Sequence, residues 1–96
     1  MTNYVVYLHY IRKNMSCQEA KNKMKQELAV FANRLKALRK EKGLKQFDMG
    51  ILLGCTSRNY QRLEYGEINV PATTLIILAD YFDVSIDYLL GRSDER

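Results

Sequence analysis

QFDMGILLGCTSRNYQRLEY, residues 46–65, decides the fold, because it divides into two short helices hinged at a glycine. Its apolar residues fall at Phe47, Met49, Ile51, Leu52 and Leu53 and resume at Tyr60 and Leu63, with Gly54-Cys55-Thr56 between the two runs. That spacing suits two helices crossing at a tight turn. Gly50 sits where a side chain on the first helix would collide with the second, and Gly54 can take the left-handed conformation that leaves a helix. Thr56 is an N-cap, its hydroxyl placed to take an orphan backbone N–H, so the second helix begins at Ser57.

At 3.6 residues per turn, Tyr60, Leu63 and Glu64 share one side of that second helix. Ser57, Arg58, Gln61, Arg62 and Tyr65 spread over the other, which is polar and cationic and carries no carboxylate. Arg58 and Arg62 are four apart and project the same way, with Ser57, Asn59 and Gln61 beside them. Arginine can fork onto guanine N7 and O6, and amides can pair with adenine, so this set suits base edges in a major groove.

Three blocks in order carry a resemblance: RLKALRKEKGLKQ at 34–46, LLGCTSRNYQRLEYGE at 52–67 and ILADYFDVSIDYLLGRSD at 77–94. Over residues 31 to about 92 the chain resembles the Cro and lambda-repressor type of helix-turn-helix regulator, the XRE family. The resemblance implies an all-α fold of five helices, here with an N-terminal extension over residues 1–15, the domain at 16–92 and a tail at 93–96. It implies a cytoplasmic regulator of bacterial or phage type, a repressor, that binds double-stranded DNA as a homodimer. It further implies an ion pair between Arg39 and the inward-facing Glu64, fixing the angle of the second helix of the motif. Gln46 would touch a phosphate and brace that helix, aided by backbone N–H groups at the helix N-terminus. Lys45 departs from the usual Ser or Thr cap and adds a cation for the DNA backbone. In the loop after Gly66, Glu67 stands where family members often carry a base, leaving Asn69 and backbone N–H groups to hold phosphate. Thr56, Ser57, Arg58, Asn59, Gln61 and Arg62 complete the expected DNA-binding set.

Composition bounds these readings. Ninety-six residues make one domain, and 47% apolar content excludes a wholly disordered chain. No apolar run approaches the length that spans a bilayer, and the N-terminus lacks the charged, apolar and small-residue order of an export signal. Residues 1–62 hold 13 of the 15 Lys and Arg against four carboxylates, a net of +9, whereas residues 63–96 hold two bases against seven acids, a net of −5. A basic part opposed to an acidic one suits a protein that turns one face to a polyanion, although a lysine-rich helix can also be merely solvated. Cys17 and Cys55 form no CxxC pair, and His9 offers no zinc set with them, so reduced thiols and no metal are expected. Cys55 reads as a small hydrophobe at the turn.

Around the motif the chain is helical except at its start. Tyr4 to Ile11 are aromatic and β-branched, favouring a strand that could pair with a second subunit, lie across the domain as an arm, or be an extension with no role. Ser16 and Glu19 form a capping box. Beyond it Ala20, Met24, Leu28, Phe31, Leu35 and Leu38 form an amphipathic stripe, either continuous to about Lys42 or broken near Glu27, with Gly43 and Leu44 closing the corner. Pro71 feeds a fourth helix over Thr73 to Phe82, with Leu75, Ile76, Leu78, Ala79 and Phe82 inward. Ser85 caps a short fifth helix whose Ile86, Leu89 and Leu90 pack or dimerise, and residues 92–96 fray. A protein-interaction module such as an antitoxin or co-regulator is the second functional class, favoured by the aromatic N-terminal segment and the acidic C-terminal third. Catalysis is not expected, since the chain holds no glycine-rich phosphate loop, no Cys/His cluster and no carboxylates paired in a pocket. No cofactor is expected either.

Overall fold

Ser16 starts the first helix, its Oγ accepting the Glu19 N–H at 3.1 Å. The computed structural model describes residues 16–96, and the readings of residues 1–15, strand, arm or extension, with His9 among them, lie outside that range. From Ser16 onward α1 runs unbroken over Cys17–Glu41, so the alternative of a break near Glu27 is not realised. Gly43 then turns left-handed and the Leu44 N–H reaches back to the Arg39 carbonyl at 3.1 Å. Four further helices follow: α2 at Gln46–Leu53, α3 at Ser57–Glu64, α4 at Ala72–Phe82 and α5 at Ile86–Leu89. Among the described residues there is no strand, and the fold is the all-α, five-helix arrangement expected.

The core forms where the second half of α1 meets α3 and α5. Phe31, Leu35 and Leu38 of α1 close on Met49, Tyr60, Leu63, Leu78, Phe82 and Leu89. The apolar stripe of α1 continues beyond what the other helices cover, which leaves Met24 56% exposed. Ile76 is a second correction, being 50% exposed rather than inward. At 100° per residue, the arc shared by Leu75, Leu78, Ala79 and Phe82 leaves it on the outer flank of α4. On α2 only Met49 and Gly50 are buried, while Phe47 and Ile51 stand outward. In α5, Leu89 is fully buried and Ile86 lies at the surface, as does Leu90 just past the helix end.

Residues 92–96 do not fray. The Arg34 guanidinium donates through Nη1 to the carbonyls of Tyr88 and Ser93, both at 2.6 Å, and through Nη2 to Asp94 Oδ1 at 2.9 Å. Its plane lies over the Tyr88 ring, 4.3 Å from the centroid. Arg96 adds a two-pronged pair with Glu41 at 2.8 and 2.7 Å, and the Ser85 N–H donates to the Arg96 carbonyl. An arginine with carbonyls and a carboxylate converging on it orders a segment that composition alone marks as loose.

Candidate nucleic-acid interface

Two glycines and a threonine set the angle at which α3 leaves the body. Gly54 ends α2 in the left-handed conformation, φ 69°, and the Cys55 N–H returns to the Gly50 carbonyl at 2.8 Å. A Cβ on Gly50 would come within 2.8 Å of the Cys55 carbonyl oxygen and 3.3 Å of the Ser57 nitrogen. Only glycine lets α2 approach the start of α3 this closely. Thr56 Oγ1 accepts the Asn59 N–H at 3.1 Å, so α3 begins at Ser57. Thr56 is exposed, and its hydroxyl oxygen is committed to capping the helix.

The inward side of α3 is Tyr60, Leu63 and Glu64, all buried. Glu64 meets Arg39 of α1 in a two-pronged pair, Nε to Oε2 and Nη2 to Oε1, both 2.8 Å. Arg39 Nη1 also donates to the Leu44 carbonyl at 2.7 Å, so one guanidinium joins α1, the corner before α2, and α3. Burial alone would push the Glu64 carboxyl up, but the hydrogen bonds and charge of Arg39, with Tyr60 and Gln46 beside it, together outweigh burial and hold the group below its ordinary range. The same carboxylate raises the Arg39 guanidinium. Tyr60 is raised too, by desolvation first and then by Glu64. Its hydroxyl is buried with no hydrogen-bond partner at good geometry among the described residues.

Gln46 links this interior to the surface. Its Nε2 donates to Glu64 Oε1 at 3.5 Å and its Oε1 accepts from Gln61 Nε2 at 2.9 Å. Gln61 is thus tied to α2 and half-buried, and Ser57 is half-buried at the turn. Arg58, Asn59 and Arg62 are exposed on the outward side. Lys45 is exposed at the head of α2, where its side chain makes no cap, and the Asp48 carboxylate accepts the Lys45 N–H at 2.9 Å. Asn69 is exposed in the loop, its Oδ1 accepting the Val70 N–H at 3.0 Å. The outward side is not free of carboxylate. Glu67, just past the helix, brings Oε2 to 3.8 Å from Arg62 Nε. Periodicity within α3 could not place that group, because it stands beyond the helix end.

A family model described as a helix-turn-helix domain matches residues 30–89. The chain belongs to this helix-turn-helix family. It is similar to two uncharacterized HTH-type transcriptional regulators of Bacillus subtilis strain 168, YqaE and YobD. The first is 41% identical over 68 residues, 70% of this chain, and the second 33% identical over 66 residues, 69% of this chain. The chain spans 59% of the length of each of these relatives. Among solved structures it is similar to the restriction-modification controller protein C.AhdI from Aeromonas hydrophila, with 31% identity and a TM-score of 0.60, over 68% of this chain and 94% of that one. The helix-turn-helix match takes in the Arg39–Glu64 pair, the α2–α3 turn and the loop bearing Glu67 and Asn69. It leaves the first turns of α1, Cys17 to Ala29, outside.

Proposed function

We propose that this chain binds double-stranded DNA sequence-specifically and regulates transcription, with α3 entering the major groove. One observation carries the reading. The outward side of α3 offers the guanidinium groups of Arg58 and Arg62 and the amide of Asn59 to solvent, while Tyr60, Leu63 and Glu64 hold the helix from behind. Arg58 and Arg62 are the base readers, with Asn59 beside them and Ser57 at the groove edge. Lys45, Gln46 and Asn69 flank that side and meet phosphates, which fix register rather than sequence. Gln61 braces Gln46 and touches DNA only at its edge, and Thr56 contributes through the helix start it caps. The relatives, named as transcriptional regulators and a restriction-modification controller, support the same reading.

One recognition helix spans only a few base pairs, so useful specificity calls for two copies about 34 Å apart, a homodimer on a near-palindrome. The chain acts as a binding protein and not as an enzyme, and it works in the cytoplasm, where its DNA is. Selection of bound duplexes from a random pool at two salt concentrations tests the proposal. Enriched half-sites about one helical turn apart, with binding that weakens as salt rises, are the expected result. Arg62→Ala should then cost about 1–3 kcal/mol on the selected site and relax preference at one base pair. A pool that yields no enriched sequence and no salt-dependent binding refutes the reading.

A further inference from the structure

α3 ends in a left-handed turn that brings an acid back to one of its own arginines. Gly66 takes φ 71°, its N–H donates to the Leu63 carbonyl at 3.1 Å, and the Glu67 N–H donates to the Arg62 carbonyl at 3.0 Å. This double closure ties the Glu67 backbone to residue 62 itself, so the Glu67 side chain leaves the chain next to Arg62. Oε2 lies 3.8 Å from Arg62 Nε, within ion-pair range. Arg58, one turn earlier on the same side, has no ion-pair partner among the described residues. The two arginines are therefore unlike: Arg58 has no ion-pair partner among the described residues, and Arg62 has a carboxylate oxygen within 3.8 Å of its Nε.

We propose that Glu67 is a positioning residue for Arg62, and so a determinant of base preference. The inference rests on the reading of α3 as the groove-entering helix. A guanidinium is a rigid plane of five N–H donors. A carboxylate on the Nε side draws that side toward the turn and leaves the Nη1–Nη2 edge facing outward, the edge that forks onto guanine O6 and N7. The same negative charge repels phosphates, so Glu67 weakens sequence-independent attraction while it sharpens discrimination. These two effects have opposite signs, which a merely structural role would not produce.

The test measures binding of the wild type, Glu67→Gln, Arg62→Ala and the double variant by fluorescence anisotropy at two salt concentrations. The probes are the selected duplex, duplexes changed at the base pair where Arg62→Ala loses preference, and an unrelated duplex. Exposed ion pairs contribute at most about fivefold to an equilibrium constant. Glu67→Gln is therefore expected to lower the preference for guanine at that pair about two- to fivefold and to tighten binding to the unrelated duplex. In the Arg62→Ala background it should change no preference. Tighter binding to every duplex with the guanine preference intact overturns the inference and leaves the reading of α3 standing. A loss at a different base pair that persists without Arg62 also overturns it, making Glu67 a reader of cytosine in its own right. If the wild type binds no duplex, the reading of α3 and the inference fall together.

Discussion

Removing Arg39 should do more damage than any other single change on the protein's polar side chains. Its three hydrogen bonds, two to Glu64 at 2.8 Å and one to the Leu44 carbonyl at 2.7 Å, would all be lost in Arg39→Ala. Glu64, 4% exposed, would keep the Gln46 amide at 3.5 Å and the Tyr60 hydroxyl nearby, and no charged partner. Breaking a buried pair from one side costs about 3–5 kcal/mol, because the abandoned charge stays out of water. Set against a total stability of about 5–15 kcal/mol, that loss brings the domain near its unfolding threshold. With a urea dependence of about 1 kcal/mol per molar, the far-UV circular dichroism midpoint should fall by about 3–5 M at pH 7. The pH dependence carries a sign of its own. Glu64 titrates below its ordinary range in the wild type, so the stability it supplies is present above its unfolded pKa and is lost as pH falls through the folded one. Without Arg39, desolvation dominates and raises Glu64, so the variant gains on protonation and the gap to wild type narrows between pH 7 and pH 4. Arg39→Met with Glu64→Met, which removes both charges, should recover most of the loss. A loss below about 1 kcal/mol at pH 7, or one that stays constant with pH, refutes the reasoning.

Gly50→Ala should cost more than about 2 kcal/mol in thermal melts, since its Cβ meets backbone at 2.8 Å; Gly54→Ala, with nothing within 4 Å, carries only the left-handed penalty of about 1–2 kcal/mol. Equal melting temperatures for the two variants would contradict the close approach at the turn. Tyr60→Phe should change stability by no more than about 1 kcal/mol, because its buried hydroxyl makes no hydrogen bond of good geometry among the described residues; a clear loss would mean that the hydroxyl bonds Glu64 in solution. The Arg96 hydrogen bonds lower the Glu41 pKa, so the tail contact should hold above the ordinary carboxyl range and release as pH falls through the depressed value. Amide exchange at Ser85, whose N–H donates to the Arg96 carbonyl, is expected to quicken on that same titration and at every pH in Glu41→Gln.

The α2–α3 turn was legible because each of its parts answers to a local rule. A left-handed glycine, a Thr cap and a 3.6-residue period act over a few residues, and Gly54, Thr56 and Tyr60 all stand where those rules put them. The pairing of Arg39 with Glu64 came from family resemblance, since nothing in spacing relates residues 25 apart in sequence. What local rules could not supply is coverage. Met24 and Ile76 continue apolar stripes beyond what the described helices cover, and periodicity does not say where packing stops. The order of the tail is illegible for the opposite reason: Arg34 and Glu41 reach it across more than 50 residues, and a polar sequence of five residues carries no trace of such partners. Glu67 stood outside every helical period yet lies beside Arg62, because the turn after α3 doubles back.

Eight residues are too few for a helix to hold its own shape in water, where isolated helices shorter than about 12 residues are marginal. The outward side of α3 is therefore ordered by its inward side. Tyr60 and Leu63 bury it, Glu64 anchors it to α1 through Arg39, and the Gln46–Gln61 bond steadies it from α2. A hydrogen-bonded path consequently runs from the interior, Arg39 to Glu64 to Gln46 to Gln61, and ends next to the side that carries Arg58 and Arg62. Interior substitutions along that path should loosen the arginines together and weaken discrimination between duplexes without removing a single donor from the surface. Changes at Arg58 or Arg62 remove one guanidinium each and leave the helix in place. Comparing preference profiles from the two kinds of variant separates what the surface recognises from what the core makes rigid.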